Sequence, residues 1–169
     1  RLIQNVSGTY WHARWVIACF YGLRQGEALG LRWSNLNLET GELQVREQLQ
    51  TINSQRQFVG LKSKASTRTL ELDSETIRVL KAHKTMQNIN RLSMGDKWQE
   101  WDLVFPAKDG SPLHPKVDYK AWQDNLQACG ITKHRLHDAR HTAATFLFDK
   151  GLDVELIRRF LGNSSVELT

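Results

Sequence analysis

Leu136-His137-Asp138-Ala139-Arg140-His141-Thr142 packs two imidazoles and a guanidinium into five consecutive positions, His137 to His141. Ala143-Ala144-Thr145-Phe146-Leu147-Phe148 follows with the spacing of a helix that has one apolar face. On such a helix His137 lies one turn from both Arg140 and His141, so the three share a side. A cationic, hydrogen-bond-donating face at the start of a helix suits an oxyanion, phosphate above all. The helix should run to Lys150 and close at Gly151. Asp153 opens another over residues 154–161, ended by Gly162, and Ser164-Ser165-Val166-Glu167 reads as the start of one more.

Upstream of this stretch, Pro115 predicts a helix to about Ala128, with Gly130 beyond its end. Asp73 or Ser74 caps a helix with Glu75 in its first turn, running to about Asn90. Between these helices, residues 91–102 are less regular, Leu103-Val104-Phe105-Pro106 is a short apolar piece, and Lys108-Asp109-Gly110-Ser111-Pro112 is a turn. Alternating side chains predict strands over residues 43–49, 57–61 and 67–72, with Lys62-Ser63-Lys64-Ala65-Ser66 as the tip between the last two. Nearer the N-terminus, Trp11, Trp15, Ala18, Cys19 and Leu23 recur at helical spacing, which predicts a largely buried helix. Gly22 and Gly26 interrupt it, a short helix over residues 26–33 follows, and Ser34-Asn35-Leu36-Asn37 turns the chain. The expected fold class is α+β: one domain over residues 1–169, mostly helical, with one small three-stranded antiparallel sheet.

The bulk composition fits this reading. At 169 residues the chain can bury a proper core, and 40% hydrophobic with 24% charged residues is ordinary for a globular domain. No apolar run is long enough to span a bilayer, and the N-terminal residues are not a signal peptide. The first residue is arginine, so the chain is expected to begin inside a longer protein. A net charge of +5 and a pI near 9.4 are compatible with a nucleic-acid partner. Cys19 and Cys129 lie far apart in apolar contexts and read as reduced, buried thiols of a cytosolic protein.

Three groups of residues carry candidate chemistry. Arg24 stands between Gly22 and Gly26 at a helix junction, where small neighbours let an anion reach the guanidinium; Glu27, three residues on, can orient it. The plainer reading of that pair is a surface ion pair. Lys62 and Lys64 sit at a tip, where lysines are usually just solvated. His137 and Arg140 fit a phosphate site, a basic DNA-binding face without chemistry, or a core histidine. A zinc pair at His137 and His141 lacks both the glutamate of a His-Glu-x-x-His motif and an obvious third ligand.

Four pieces of the sequence resemble the tyrosine recombinases, the phage-integrase family. Gly22-Leu23-Arg24-Gln25-Gly26-Glu27-Ala28-Leu29-Gly30-Leu31-Arg32-Trp33 is similar to that family's first arginine box. Lys62-Ser63-Lys64-Ala65-Ser66-Thr67-Arg68-Thr69-Leu70 resembles its lysine-bearing hairpin, and His137-Asp138-Ala139-Arg140-His141-Thr142 its His-x-x-Arg box. Leu161-Gly162-Asn163-Ser164-Ser165-Val166-Glu167-Leu168-Thr169 resembles the segment before the nucleophilic tyrosine. The pieces occur in the family's order and cover the chain from about Trp11 to Thr169.

The resemblance implies the catalytic domain of a site-specific DNA recombinase or integrase, acting through a 3′-phosphotyrosyl intermediate with no cofactor, ATP or metal. Arg24 and Arg140 would clamp the non-bridging oxygens of the scissile phosphate. Lys62 would protonate the leaving 5′-oxygen, and His137 would hydrogen-bond the phosphate or help deprotonate the nucleophile. Glu27 would support Arg24, while Lys64, Arg68 and His141 would contact DNA.

The sequence departs from the family pattern at three points. Asn163 stands where the family has histidine or tryptophan, and Ala139 where it has leucine. Tyr10, Tyr21 and Tyr119 match no nucleophile motif, so the nucleophilic tyrosine is expected a few residues past Thr169. The helical N-terminal domain that completes the clamp around DNA is likewise expected outside this chain. The implied partners are double-stranded DNA and further copies of the protein, a tetramer on two duplexes, with no membrane. The implied setting is a bacterial or mobile-element nucleoid in the cytoplasm. A non-catalytic DNA-binding relic and a type IB topoisomerase are the alternatives.

Overall fold

The computed structural model describes residues 1–64 and 66–163. The chain opens with α1 (Leu2–Asn5) and α2 (Trp11–Val16), and α2 runs on as a π-helical turn, Ile17–Tyr21. Gly22 stops it in the left-handed region, φ 62° and ψ 29°, a conformation that favours glycine. A side chain there would also collide with Leu161, whose Cδ2 lies 2.6 Å from the position of a Cβ. Next comes α3 (Gln25–Leu29), which ends before the Trp33 expected from sequence. The reason is Gly30, where a Cβ would sit 2.7 Å from the backbone nitrogen of Leu49; a strand lies directly on the helix end.

Five strands follow: β1 (Leu36–Asn37), β2 (Glu42–Val45), β3 (Glu47–Ile52), β4 (Gln55–Gly60) and β5 (Arg68–Glu71). They do not form the single sheet expected. An antiparallel sheet has the order β1-β2-β5, with Leu43 opposite Leu70, while β3 and β4 make a separate hairpin. The predicted strand over residues 43–49 is therefore two strands that change partner at Arg46. Leu43, Val45 and Leu49 keep the same buried parity across that break, so alternation alone conceals it. The hairpin turns at Asn53 and Ser54, both at positive φ. Lys62 and Lys64 lie in the crossing from β4 to β5, not at a hairpin tip.

The remaining helices match their local signals. In α4 (Ser74–Met94) the Asp73 carboxylate accepts from the Thr76 amide at 2.7 Å, and the helix passes the expected Asn90 by one turn. Then come α5 (Pro115–Ala128), α6 (Asp138–Asp149) and α7 (Val154–Leu161). Gly151 and Gly162 follow α6 and α7 at positive φ. The run from Ser164 lies outside the described residues.

One core joins α2 to the larger sheet through Val16, Ile17, Leu43, Val45, Leu70 and Phe105. A second places Trp15 and Trp122, with ring centroids 5.1 Å apart, against Leu136 and Ala139. A third, of Ala143, Leu147, Ile157 and Leu161, fastens α7 to α6. Deep between α2 and α5, Arg14 and Asp118 form a fully buried bidentate pair, 2.9 and 3.0 Å. Gln25 of α3 donates to the same carboxylate at 2.9 Å, so three helices meet on Asp118.

Both cysteines are free. Cys129 is buried, and burial pushes the half-exposed Cys19 thiol up to about 11. Among the described residues, no helix is long and apolar enough to cross a membrane.

His83 on α4 is 2% exposed, and its Nε2 meets the Val104 carbonyl oxygen at 2.7 Å. Burial drives its pKa down, with that hydrogen bond opposing, so the ring is held neutral. His12 and His137 are also lowered, burial again being the largest cause. The folded state therefore binds fewer protons than the unfolded chain below the ordinary histidine pKa of 6.5, and stability falls as pH drops through that value. We expect stability to fall as pH drops from 7.5 to 5.5, read from urea midpoints. His83→Gln should flatten most of that slope; an unchanged slope would refute the assignment to His83.

Candidate functional site

Three arginines converge on the C-terminal end of α7. Arg24 is the residue before α3, held in extended conformation by the turn at Gly22. Its backbone amide donates to Glu27 Oε2 and its Nη1 to Glu27 Oε1, each at 2.9 Å. Arg140 lies one turn into α6 and reaches across to donate to the Gly22 carbonyl at 2.6 Å and to that of Leu161. Arg68, the first residue of β5, donates through both Nη atoms to Glu27, at 3.2 and 3.1 Å, and through Nε to the Phe160 carbonyl at 2.7 Å.

Three consecutive carbonyls of α7 are thus each taken by a different arginine: Phe160 by Arg68, Leu161 by Arg140, and Gly162 by Arg24 at 3.4 Å. The negative end of the helix dipole and one buried carboxylate together hold the three cations close. Burial pushes Glu27 up, but the hydrogen bonds and charge of Arg68, then Arg24, outweigh it and keep the carboxyl below its ordinary range. Burial and the neighbouring charges of Arg24 and Arg68 lower Arg140 to about 10, which leaves it cationic at neutral pH.

Asn163 marks where the two boxed arginines point. Its Oδ1 accepts from Arg24 Nη2 at 3.1 Å and from Arg140 Nη2 at 2.7 Å. Arginine can only donate, so the oxygen, not the amide nitrogen, must face them. One acceptor oxygen held between two guanidinium groups is the environment of a non-bridging phosphate oxygen. Three arginines against one glutamate leave a formal charge of +2, which suits an anion that gains charge as it reacts.

An open cleft of about 360 Å³ adjoins the clamp, lined by Leu23, Arg24, Gln25, Tyr119, Arg135, Leu136, His137 and Arg140. His137 is the residue before α6, exposed, with its ring 5.8 Å from that of His141. Burial first, then the charges of Arg140, His141 and Arg24, lower its pKa, so at neutral pH it offers one N–H and one lone pair.

The structure therefore gathers Arg24, Glu27, Arg140 and Asn163, with His137 on the same cleft. Lys62, Lys64 and His141 are exposed and do not line it. Arg68 departs from the expectation of a DNA contact: its side chain is 6% exposed and turned inward, because Glu27 and the α7 terminus supply acceptors nearer than solvent. Gln25, Tyr119 and Arg135 also line the cleft, none of them among the site residues expected from sequence. Gln25 adjoins Arg24, a signal that was there to use; Tyr119 and Arg135 become neighbours of the clamp only through folding. Among the described residues no three histidine, cysteine or carboxylate side chains gather as a metal site.

The sequence profile of the Phage integrase family matches residues 3–169. A tyrosine recombinase XerC-like protein of Caldanaerobacter subterraneus subsp. tengcongensis is 28% identical over all of this chain and 46% of its own length. An integrase of Streptomyces ambofaciens is 31% identical over 99% of this chain and 45% of its own. The chain spans about half the length of the curated relatives it matches. In backbone, the Tn1549 transposon integrase solved in complex with transposon right end DNA superposes with a TM-score of 0.79 at 17% identity, covering 97% of this chain and 55% of that one. The chain belongs to the phage integrase family.

Proposed function

We propose that this chain is the phosphate-activating part of the catalytic domain of a site-specific DNA recombinase or integrase. The observation that carries the proposal is the convergence of Arg24 and Arg140 on one oxygen at Asn163 Oδ1. A scissile phosphodiester would displace that amide and present a non-bridging oxygen to the same donors. As a nucleophile adds, the phosphorus centre passes from one negative charge towards two, and the clamp's formal +2 stabilises the later state more than the earlier one. His137 would donate its N–H to the phosphate or take the nucleophile's proton, and Lys62 would deliver a proton to the leaving 5′-oxygen. Lys64 and His141, exposed on the flanking loop and helix, would hold the DNA backbone.

The nucleophile in this reading is a tyrosine outside residues 1–169. Tyr10 and Tyr21 have hydroxyls committed to Pro106 and to Asp73 with Thr76. Attack would form a tyrosyl O–P bond and release the 5′-hydroxyl strand; rejoining reverses it, which conserves bond energy without ATP. Duplex DNA and further copies of the protein on it are the partners.

The test is covalent trapping with the full-length protein in cells that carry its own element. Rapid denaturation should recover DNA with peptide-blocked 3′ ends and free 5′-hydroxyls that a kinase can label. Adducts at 5′ ends, or none from cells that are recombining, would overturn the proposal.

Asn163 adds a second test. Asparagine can hold an oxygen but cannot move a proton, so Asn163→His should raise the cleavage rate by about 10²-fold, the low end of what general acid–base help supplies. A variant no faster than the parent would show that proton transfer is supplied elsewhere.

A further inference from the structure

We propose that Arg68 is the positioning residue of the clamp, the one group that sets the Lys62 loop, Arg24 and the end of α7 in a common register. The inference rests on the phosphate reading above. Arg68 bonds the loop and the end of α7 directly and reaches Arg24 through Glu27. Its Nη atoms bind both oxygens of Glu27, the carboxylate that also grips the Arg24 backbone and guanidinium. Its Nη1 donates to the Ser66 carbonyl at 2.8 Å, in the loop that carries Lys62 and Lys64. Its Nε holds the Phe160 carbonyl at 2.7 Å, three residues before Asn163. That loop is tied to the same place by Ser66 Oγ, which donates to the Gly162 carbonyl at 3.4 Å.

Two features show that the surroundings are built around this guanidinium. A Cβ at Gly162 would lie 2.7 Å from Arg68 Nη1, so the turn after α7 leaves the space that Arg68 fills. Glu27 is 1% exposed, and Arg68 and Arg24 share its two oxygens. If Arg68 is removed, the buried carboxylate keeps, among the described residues, only Arg24 as an ion-pair partner. Arg24 is then drawn onto Glu27 and away from the point it shares with Arg140. Arg68 acts on the phosphate only through the others.

Lysine is the informative substitution. One ammonium can reach Glu27, but it lacks the planar fork that spans a carboxylate and two carbonyls together. The probe is orthovanadate, a tetrahedral oxyanion of phosphate's shape, and affinity is read from the ligand-dependent shift of thermal unfolding. Arg68→Lys should fold and bind orthovanadate about tenfold or more weakly than the parent, since small misplacements of positioned groups have effects of this size. In the same variant the Arg24 Nε–H and Asn163 side-chain amide NMR signals should shift, while the Arg14 Nε–H, buried on Asp118, should not. A merely structural loss would move all of them or none. Arg68→Gln with Glu27→Gln removes the charge conflict and should fold without restoring affinity.

Parental affinity in a folded Arg68→Lys would overturn the positioning role while leaving the phosphate site intact. A parent chain that folds but does not bind orthovanadate would overturn the phosphate reading, and the inference with it.

Discussion

Arg24→Ala and Arg140→Ala should each lower the rate of covalent DNA attachment by the full-length protein by roughly 10²–10³-fold, the measured scale for losing one donor to a developing oxyanion. The two variants should part company in stability. Arg24 has a side chain 37% exposed, and its loss leaves Glu27 paired with Arg68. Arg140 is buried and donates to the backbone carbonyls of Gly22 and Leu161, so its loss strands one acceptor after the π-helical turn and one at the end of α7. Hydrogen bonds from a charged donor contribute about 1.5–3 kcal/mol each. Unfolding temperature should therefore drop clearly for Arg140→Ala and little for Arg24→Ala, while attachment falls in both. Salt-dependent binding to duplex DNA, expected from the net charge of +5, should change far less than the rate. Normal attachment by Arg24→Ala would remove the clamp from the mechanism, because that variant leaves the fold nearly untouched.

Asp118→Ala should be the most damaging single change to the fold. It leaves the Arg14 guanidinium, fully buried between α2 and α5, with no counter-charge, and it strips Gln25 of an acceptor. Breaking one side of a buried ion pair destabilises by about 3–5 kcal/mol. At roughly 2–4 °C per kcal/mol for a domain of this size, unfolding should move down by about 6–20 °C. Replacing both partners with apolar residues, Arg14→Met with Asp118→Leu, should recover most of that loss, since an isolated buried charge is what destabilises. A small shift in Asp118→Ala would mean that water reaches Arg14.

The helices were legible in the sequence where their ends are marked by neighbours. Asp73, Pro115, Asp153, Gly151 and Gly162 act on backbone groups within one turn, so their meaning is local. The limits of local reading show at Arg46, where the chain changes sheets without changing its alternation, and at Gly30, whose constraint comes from Leu49. Around the cleft, Arg24 stands out in the sequence between two glycines and Arg140 in a cationic helix start, while Asn163 stands out only through the family resemblance. The inward turn of Arg68 is not legible: the Glu27 and Phe160 acceptors lie 41 and 92 residues away in sequence, and a basic residue in an alternating strand reads the same whether it meets solvent or a carboxylate. The Arg14–Asp118 pair, 104 residues apart, left no trace in the periodicity of either helix.

The grip of three arginines on three successive carbonyls also sets an order of events during synthesis. A ribosome that has released residues 1–150 has already delivered Arg24, Arg68, Arg140 and Glu27, but none of Phe160, Leu161 and Gly162. Until α7 emerges and docks on α6, the three cations have one carboxylate among them and repel one another. Among the described helices, the last one made is thus the one that closes the clamp, so the three cations are held together only once residues 160–162 have followed.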